Sequence, residues 1–270
     1  MINTGSFSTD TIFDSGVMTA YVLILAAVLG AVMASFLVCL AGRTVKHESV
    51  LKGRSHCDSC GHVLGPADLV PIFSYLFLRG RCRYCHKKIP AESFAMEILS
   101  SLVFVVIILR LGLSFDALRA MILYCILLVL SLIDLASLTI PDKCIAAGII
   151  LWTVFLPLIH APWKDTLKQG LIGGFVLGAG VLAISLVMDK VLGRDSMGGG
   201  DIKLIFMMGL YLGLAGGLFA LILSCVIGLI IIAAVHKRQI PFGPSISAAL
   251  MIVLLFGGQV ISWYISLSGL

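Results

Sequence analysis

Long apolar runs dominate the pattern of hydrophobic and polar positions along this chain. A helix needs about 20 apolar residues to cross the hydrocarbon core of a bilayer. Seven runs approach or exceed that length: Val17–Ala41, Phe94–Leu111, Ala117–Ile133, Cys144–Ile159, Leu167–Met188, Leu218–Val235 and Ile246–Ile265. A shorter run, Leu204–Leu214, indicates a segment that is tilted, broken or sheltered by its neighbours. The pattern therefore predicts an all-α polytopic membrane protein with about eight transmembrane helices.

The composition agrees with a membrane protein and argues against a soluble one. Of the 270 residues, 60% are hydrophobic and 12% are charged, and the mean hydropathy is +1.11. A soluble globular domain carries about 25% charged residues. Residues 1–16 contain no Lys or Arg, and the apolar run after them is too long for the core of a cleavable signal. We therefore expect residues 1–16 to form a short extracytoplasmic N-terminus and residues 17–41 to be a retained first transmembrane helix.

The basic residues lie mainly in alternate loops between the apolar runs. With the N-terminus outside and eight spans, the cytosolic loops are residues 42–93, 134–143, 189–203 and 236–245. Only four of the 19 Lys and Arg residues fall elsewhere: Arg110, Arg119, Lys164 and Lys168. Positive residues concentrate on the cytosolic side of membrane proteins, so this split predicts that both termini face outward. It also explains the net charge of +5 without a nucleic-acid partner.

The loop at residues 42–93 is polar, basic and rich in Cys, Gly and Pro. It is too short for a large hydrophobic core, and domains this small usually need a disulfide or a structural metal ion to hold them folded. Cys57 and Cys60 form one CxxC pair, and Cys82 and Cys85 form another. Two such pairs offer four thiolates to one tetrahedral ion, which is typical of a structural zinc site. We therefore predict Zn²⁺ at these four cysteines, with free thiols or two disulfides as the alternatives.

Two aspartates lie at the ends of apolar runs on the same predicted membrane face. Asp134 closes the run Ala117–Ile133, and Asp201 precedes the short run Leu204–Leu214. Charged residues at membrane depth are costly and are functional by default. Two carboxyl groups about 3 Å apart share one proton, and such a pair can activate a water for peptide hydrolysis. The alternative is that both aspartates are only juxtamembrane charges or helix caps.

Neighbouring residues refine this hypothesis. Three glycines, Gly198, Gly199 and Gly200, precede Asp201 and are expected to let the backbone bend and approach another helix or an extended substrate. Asp142 follows Pro141 and is expected to cap the next helix.

Together these features resemble the type IV prepilin peptidases, polytopic GxGD aspartyl proteases of the bacterial cytoplasmic membrane. The resemblance covers nearly the whole chain and rests on the order and spacing of short motifs. These motifs are ASFL at 34–37, HCDSCGH at 56–62, DLVP at 68–71, SYLFLRGRCRYC at 74–85, SLIDLASLTIPD at 131–142, MGGGDIKL at 197–204 and IPFGP at 240–244. The RYC and PAESF stretches are closer to Gram-positive, competence-type members.

The resemblance implies a membrane aspartyl endopeptidase that cleaves the leader of type IV prepilins or pseudopilins after a Gly, at the cytosolic membrane face. It implies that Asp134 and Asp201 are catalytic and that residues 94–270 form the peptidase core. The expected partners are prepilin or pseudopilin substrates and membrane lipid.

A second activity is implied for the cysteine loop. Many members of the resembled family also N-methylate the new N-terminal residue with S-adenosylmethionine. The resemblance thus implies S-adenosylmethionine as a cofactor, residues 42–93 as a methyltransferase domain, and a role in methyl transfer for Gly80 and Arg81. Zinc in this loop is expected to be structural, since four thiolates leave no open position.

Three departures from the family pattern leave alternatives open. Val38 stands where members commonly have Asn, DLVP at 68–71 replaces an ENIP-like motif, and only Glu97 remains of an RYP-x-x-E stretch. These departures lie in or near the methyltransferase half, so a peptidase without methyltransferase activity is one alternative. A zinc-binding membrane transporter or scaffold is another, although the span centres are nearly uncharged. A presenilin-like protease is a third, but it leaves the zinc loop unexplained.

Overall fold

The computed structural model describes residues 16–49, 55–57, 59–158, 162–193, 197–235 and 241–268. Within these ranges the chain is mainly helical, and its extended segments pair only as two isolated bridges in the polar loop. The predicted all-α fold is therefore confirmed. The predicted extracytoplasmic N-terminus lies outside the described residues except for Gly16, which begins the first helix. The described residues divide into two compact units, one that ends at Gly112 and one that begins at Leu113.

The first unit is built on two long helices, α1 (Gly16–Val45) and α3 (Ala91–Leu111), which pack against each other. Their contact is close at Gly30, where a Cβ would lie 2.5 Å from the carbonyl oxygen of Ser100. Ser101 Oγ donates to the carbonyl oxygen of Ala27 at 2.9 Å. Small residues and interhelical hydrogen bonds of this kind hold apolar helices together in a membrane.

Where the structure describes it, the polar loop between α1 and α3 contains little regular structure: a 3₁₀ turn, Pro66–Asp68, and one short helix, α2 (Phe73–Phe77). Asp68 Oδ2 accepts the N–H of Gly65 at 3.1 Å and the hydroxyl of Tyr84 at 3.2 Å. Its other oxygen pairs with Arg83 Nε at 2.8 Å. The buried Asp68 carboxylate thus ties the 3₁₀ turn to the second cysteine pair.

The described residues of the second unit form five helices, and two of these helices contact both members of another pair. They are α4 (Phe115–Ser137), α5 (Asp142–Phe155), α6 (Trp163–Leu192), α7 (Gly199–Val235) and α8 (Gly243–Ser268). Ser114 caps α4 by accepting the N–H of Ala117 at 3.1 Å, and Leu138 ends it in the left-handed region at φ 55°. Helices α5 and α8 each contact both α4 and α7. They therefore determine how the end of α4 meets the start of α7.

Glycines bring α6 and α7 into backbone contact. A Cβ at Gly173 would lie 2.7 Å from the carbonyl oxygen of Gly209, and a Cβ at Gly209 would lie 2.6 Å from the carbonyl carbon of Gly173. Any larger residue at either position would push the helices apart. This is the small-residue packing expected where two helices associate within a membrane.

Helix α7 is sharply broken at Gly213, whose φ of 68° and ψ of −172° are not helical. A side chain is strained in this conformation, which is why glycine suits the position. Beyond the break the chain folds back, since a Cβ at Gly217 would lie 3.6 Å from the Cα of Gly209. The first part of α7, which carries Asp201, is therefore a short segment packed beside the second part.

The helices follow the predicted apolar runs, with two differences. The run at 144–159 forms α-helix only to Phe155 and continues as a 3₁₀ turn, Leu156–Leu158. The runs at 204–214 and 218–235 both belong to α7, with the break at Gly213. Five helices of the described chain are long and apolar enough to cross a membrane: α1, α3, α4, α6 and α7, the last taken across its break at Gly213. The protein is therefore a multi-pass membrane protein, but the predicted count of eight spans is not confirmed.

Candidate active site

Asp134 lies in the last turn of α4 and is buried, with the residue 4% exposed. The backbone N–H of Gly243, the first residue of α8, donates to Asp134 Oδ2 at 2.9 Å. A Cβ at position 243 would lie only 2.6 Å from the same oxygen. Glycine at this position therefore gives the carboxyl group both a hydrogen-bond donor and the room to reach it.

Asp201 lies in the first turn of α7, where the helix dipole favours an anion. Its side chain is partly buried, and its carboxyl group is close enough to that of Asp134 for the two to interact electrostatically. The structure thus brings together the two aspartates that the sequence singled out. Their catalytic role stays a prediction.

Of the three glycines before Asp201, only Gly200 is tightly packed. A Cβ at Gly200 would lie 2.8 Å from the Cβ of Ile140, in the segment that joins α4 to α5. A Cβ at Gly199 would meet open space, and one at Gly198 would make an ordinary contact with Asp201 Oδ2 at 3.4 Å. Close packing at Gly200 therefore sets the start of α7 against the segment that follows Asp134.

The expectation that Asp142 caps α5 is wrong. Pro141 occupies the N-cap position, and no side chain makes a capping hydrogen bond there. Asp142 Oδ1 instead pairs with Lys203 Nζ at 2.6 Å. Lys203 lies two residues after Asp201, so this ion pair connects the start of α7 to the start of α5. Both side chains are more than half exposed, at 54% for Lys203 and 73% for Asp142, so the pair contributes little to stability.

The four predicted zinc ligands, Cys57, Cys60, Cys82 and Cys85, lie together in the polar loop. Their Sγ atoms are all within 4.8 Å of one another, and no disulfide joins them. The Sγ atoms of Cys57 and Cys85 are 3.9 Å apart. A tetrahedral Zn²⁺ with Zn–S bonds of about 2.3 Å places its sulfur ligands about 3.8 Å apart. The cluster therefore fits a metal ion such as zinc.

The two cysteine pairs sit in equivalent backbone turns. The N–H of Gly61 donates to the carbonyl oxygen of Cys57 at 2.8 Å, and that of His86 donates to the carbonyl oxygen of Cys82 at 3.0 Å. Both turns close with a left-handed residue, Gly61 at φ 70° and His86 at φ 56°. Glycine is the residue type that favours this conformation, whereas the identity of His86 gives no sign of it in the sequence.

The first turn also favours a thiolate. Backbone hydrogen bonds from Ser59 and Cys60 lower the pKa of the Cys57 thiol to about 7. Because the thiolate is the form that binds metal, these donors favour coordination by Cys57, whereas desolvation and the hydrogen bonds with Cys57 and Cys85 raise the pKa of the Cys60 thiol to about 11. Asp58, between the two cysteines of this pair, lies outside the described residues.

Gly80 and Arg81, for which a role in methyl transfer was expected, lie at the start of the second turn. Gly80 is buried with φ 67°, and a Cβ there would lie 2.9 Å from the hydroxyl of Tyr75. Both its conformation and its packing require glycine. Arg81 is exposed and forms an isolated antiparallel bridge with Lys88. A role for either residue in methyl transfer stays a prediction.

The sequence did not predict the structural roles of two residues. Gly243 belongs to the IPFGP motif, but nothing in that motif indicated a bond to Asp134. Glu97 is buried in α3, and its Oε2 accepts the N–H of Ile72 at 2.7 Å. An acidic residue inside an apolar run was the available signal for Glu97.

Comparison with known proteins matches both units to one family. Residues 28–111 match the bacterial peptidase A24 N-terminal domain, and residues 121–233 match the type IV leader peptidase family. No solved structure gives a significant match.

Named relatives match most of the chain. The prepilin leader peptidase/N-methyltransferase of Bacillus subtilis (strain 168) is 30% identical over 252 residues, covering 89% of this chain and 97% of the relative. That of Aeromonas hydrophila is 34% identical, covering 79% and 75%. That of Pseudomonas putida is 29% identical, covering 93% and 96%. With its paired aspartates, its cysteine cluster and these relatives, the chain belongs to the type IV leader peptidase family.

Proposed function

We propose that this protein is a membrane aspartyl endopeptidase that removes the leader of type IV prepilins or pseudopilins by cutting after a Gly. The observation that carries the proposal is the approach of Asp134 and Asp201, two carboxyl groups presented by separate helices. The relatives are named prepilin leader peptidase/N-methyltransferase, which supports the substrate class. The reaction needs only these two groups and water.

In the proposed reaction, one aspartate is ionised and the other holds a proton. The ionised carboxylate accepts a proton from a water held between the two groups, and the water oxygen attacks the carbonyl carbon of the scissile peptide. The protonated carboxyl group donates to the carbonyl oxygen. The tetrahedral adduct then collapses. The amide nitrogen takes the proton that the first aspartate accepted from water and leaves as the new N-terminal amine, while the former carbonyl oxygen returns its proton to the second aspartate. Water and one peptide bond are consumed, and an acid and an amine are formed.

Gly243 has a positioning role in this proposal. Its N–H holds Asp134 Oδ2 at 2.9 Å, which fixes the plane of the carboxyl group before substrate arrives. Preorganised geometry of this kind accounts for much of the rate that an enzyme gains. The other Asp134 oxygen is then free to act on the water.

We place the active site and the polar loop on the cytosolic side of the cytoplasmic membrane. The support is the distribution of charge, since only four of the 19 Lys and Arg residues lie outside the loops assigned to that side. A prepilin is an apolar helix preceded by a basic leader. Its helix would enter the membrane beside this protein, while its scissile bond stays at the boundary where the aspartates lie.

We further propose that the polar loop N-methylates the amine released by cleavage. The relatives' names include N-methyltransferase. S-adenosylmethionine, when bound, supplies the methyl group that the amine accepts. Zinc at the four cysteines would have a structural role and would hold the loop folded, because a site closed by four thiolates has no open position for substrate. Gly80 would shape the turn that carries Arg81.

The decisive experiment is intact-mass analysis of a prepilin incubated with the purified protein, with and without S-adenosylmethionine. We expect loss of the leader mass in both reactions and a further gain of one methyl group only with the cofactor. The Asp134→Asn and Asp201→Asn variants should show neither change.

The same measurement separates the alternatives. Cleavage without methylation would reduce the function to a peptidase. An intact prepilin with wild-type protein that binds zinc would favour a transporter or scaffold, and continued cleavage by either Asn variant would remove that aspartate from the pair.

A further inference from the structure

The segment around α2 exposes apolar side chains in a loop that is otherwise polar and basic. Phe77 is 83% exposed. The full set, called here the apolar patch, is Leu69, Val70, Phe73, Leu76 and Phe77, all of them exposed. Contiguous exposed apolar surface marks a contact with a protein or a membrane. The patch therefore needs an occupant.

Two contacts place this segment beside the beginning of α3. The N–H of Ile72 donates to Glu97 Oε2 at 2.7 Å. The ring of Tyr75 stacks on that of Phe94, with centroids 4.5 Å apart. Phe94 and Glu97 belong to the first two turns of α3, a helix that is long and apolar enough to cross a membrane. The apolar patch is therefore level with part of a membrane span.

The packing of α1 against α3 allows an estimate of how deep in the membrane the apolar patch lies. Gly30 of α1 lies against Ser100 of α3, and Arg43 is the first charged residue along α1. The rise of a helix is about 1.5 Å per residue. Along the axis of α1, Arg43 therefore lies about 20 Å from Gly30. Along the axis of α3, Glu97 lies about 5 Å from Ser100, toward the same end of the helix pair, where the polar loop joins the two helices. Glu97 is therefore about 15 Å deeper than Arg43. The headgroup layer on each side is only about 5–8 Å thick.

We propose that α2 is inserted into the bilayer interface, with the apolar patch covered by lipid acyl chains. The depth selects lipid as the occupant, because a segment beside the first turns of a membrane span is surrounded by lipid where protein does not cover it. The charge pattern agrees, since Arg79 and Arg81 follow the patch, are exposed, and suit anionic headgroups. The bond to Glu97 satisfies the Ile72 N–H at a depth where water is scarce.

The insertion has a consequence for the cysteine cluster. Gly80 and Arg81 come directly after the inserted helix, so the second cysteine turn is held against the membrane surface. The loop is then a membrane-bound element and not a freely tumbling cytosolic domain. This inference depends on α3 crossing the membrane and does not rest on the proposed catalytic function.

Photo-crosslinking tests the proposal directly. The full-length protein carries the photoreactive amino acid benzoylphenylalanine at position 77, in bilayers of phosphatidylethanolamine and phosphatidylglycerol. Illumination should give a phospholipid adduct by intact mass. Leu102, exposed in the middle of α3, is the positive control, and Glu48, exposed beyond the end of α1, is the negative one. An adduct at 102 without one at 77, or a crosslink at 77 only to a second copy or an added prepilin, would overturn the proposal.

A matched pair of substitutions provides an independent measurement. Phe77→Asp should expel α2 from lipid, and Phe77→Leu should not. In proteoliposomes, tryptic cleavage after Arg79 and Arg81 should be at least about tenfold faster for Phe77→Asp than for wild type or Phe77→Leu. Unchanged zinc content would show that the loop remains folded. Equal cleavage rates for the three proteins, with zinc retained, would contradict insertion.

Discussion

The cysteine cluster and the aspartate pair are assembled in opposite ways. The cysteines come from two short turns in one loop, and each turn is closed by its own backbone hydrogen bonds. The aspartates come from α4 and α7, and their carboxyl groups come within electrostatic reach of each other where α5 and α8 each contact both helices. One arrangement is local, and its four thiols fit a single metal ion. The other is a product of helix packing and is completed by a backbone donor from a third helix.

This difference implies that a substitution that disrupts one site should leave the other site intact. The cluster belongs to the unit that ends at Gly112, and the pair belongs to the unit that begins at Leu113. Loss of a metal ligand removes binding energy from the loop, whereas a change in packing around α8 alters the geometry of the carboxyl groups. Four perturbations test this separation, from the largest expected effect to the smallest.

Removal of either carboxyl group should have the largest effect. Asp134→Asn or Asp201→Asn should lower the rate of prepilin cleavage by about 10³-fold or more, because an amide cannot take part in the shared-proton pair. The double variant should lose about as much as either single variant, since groups that act as a unit are not additive. Zinc content should not change. Asp189→Asn, at the end of α6, is the control, and its inactivation or additive single effects would contradict the pair.

Removal of a metal ligand should have a large effect confined to the loop. Cys82 is buried, at 4% exposed, and Cys82→Ser should lower zinc affinity by about 100-fold or more. Methylation should be lost while the cleavage rate stays within about threefold of wild type. Metal analysis and intact mass of the pilin measure the two effects. Cys225→Ser, at an exposed cysteine of α7, should change neither, and joint loss of both activities in Cys82→Ser would refute their independence.

A methyl group at position 243 should have an intermediate effect. In Gly243→Ala the new Cβ would lie 2.6 Å from Asp134 Oδ2, so the carboxyl group must move. Displacements of about 1 Å can cost about 100-fold in rate, and we expect kcat for cleavage to fall about 10- to 100-fold with KM little changed. Gly180→Ala, where a Cβ would meet open space, is the control. Wild-type kcat in Gly243→Ala would show that the Gly243 contact does not position Asp134.

Removal of the ion pair between Lys203 and Asp142 should have the smallest effect on the cleavage rate and on stability. Lys203→Met and Asp142→Asn should each destabilise the protein by less than about 1 kcal/mol, because both side chains are exposed. The cleavage rate should change by less than about threefold. Thermal unfolding and a double-mutant cycle measure the coupling. A rate loss as large as that of Gly243→Ala would mean that Lys203 helps to position Asp201.

Much of this arrangement was predictable because its signals are local. The apolar runs predicted the helices, with α1 covering the run at 17–41 and α3 the run at 94–111. The two CxxC pairs predicted a cluster, because ligands two residues apart can point at one ion. The positions of Asp134 and Asp201 at run ends predicted that they share a face. Each inference used only neighbouring residues or the thickness of a membrane.

The remaining features depend on residues far apart in the chain. Asp142 pairs with Lys203 and does not cap α5, because the nearest partner came from another helix. The runs at 204–214 and 218–235 predicted two segments but not a sharp break at Gly213. Apolar composition predicts that a segment avoids water, but it does not predict where the segment bends.

The sequence by itself determined which segments form apolar helices, which four thiols can bind one ion and which carboxyl groups lie at helix ends. These follow from composition and from the fixed spacing of side chains along a helix or turn. Only the tertiary structure decided that Gly243 holds Asp134, that Gly200 sets α7 against Ile140 and that Glu97 draws Ile72 to the side of α3. These contacts depend on which faces of distant segments pack together, and helical periodicity leaves that choice open.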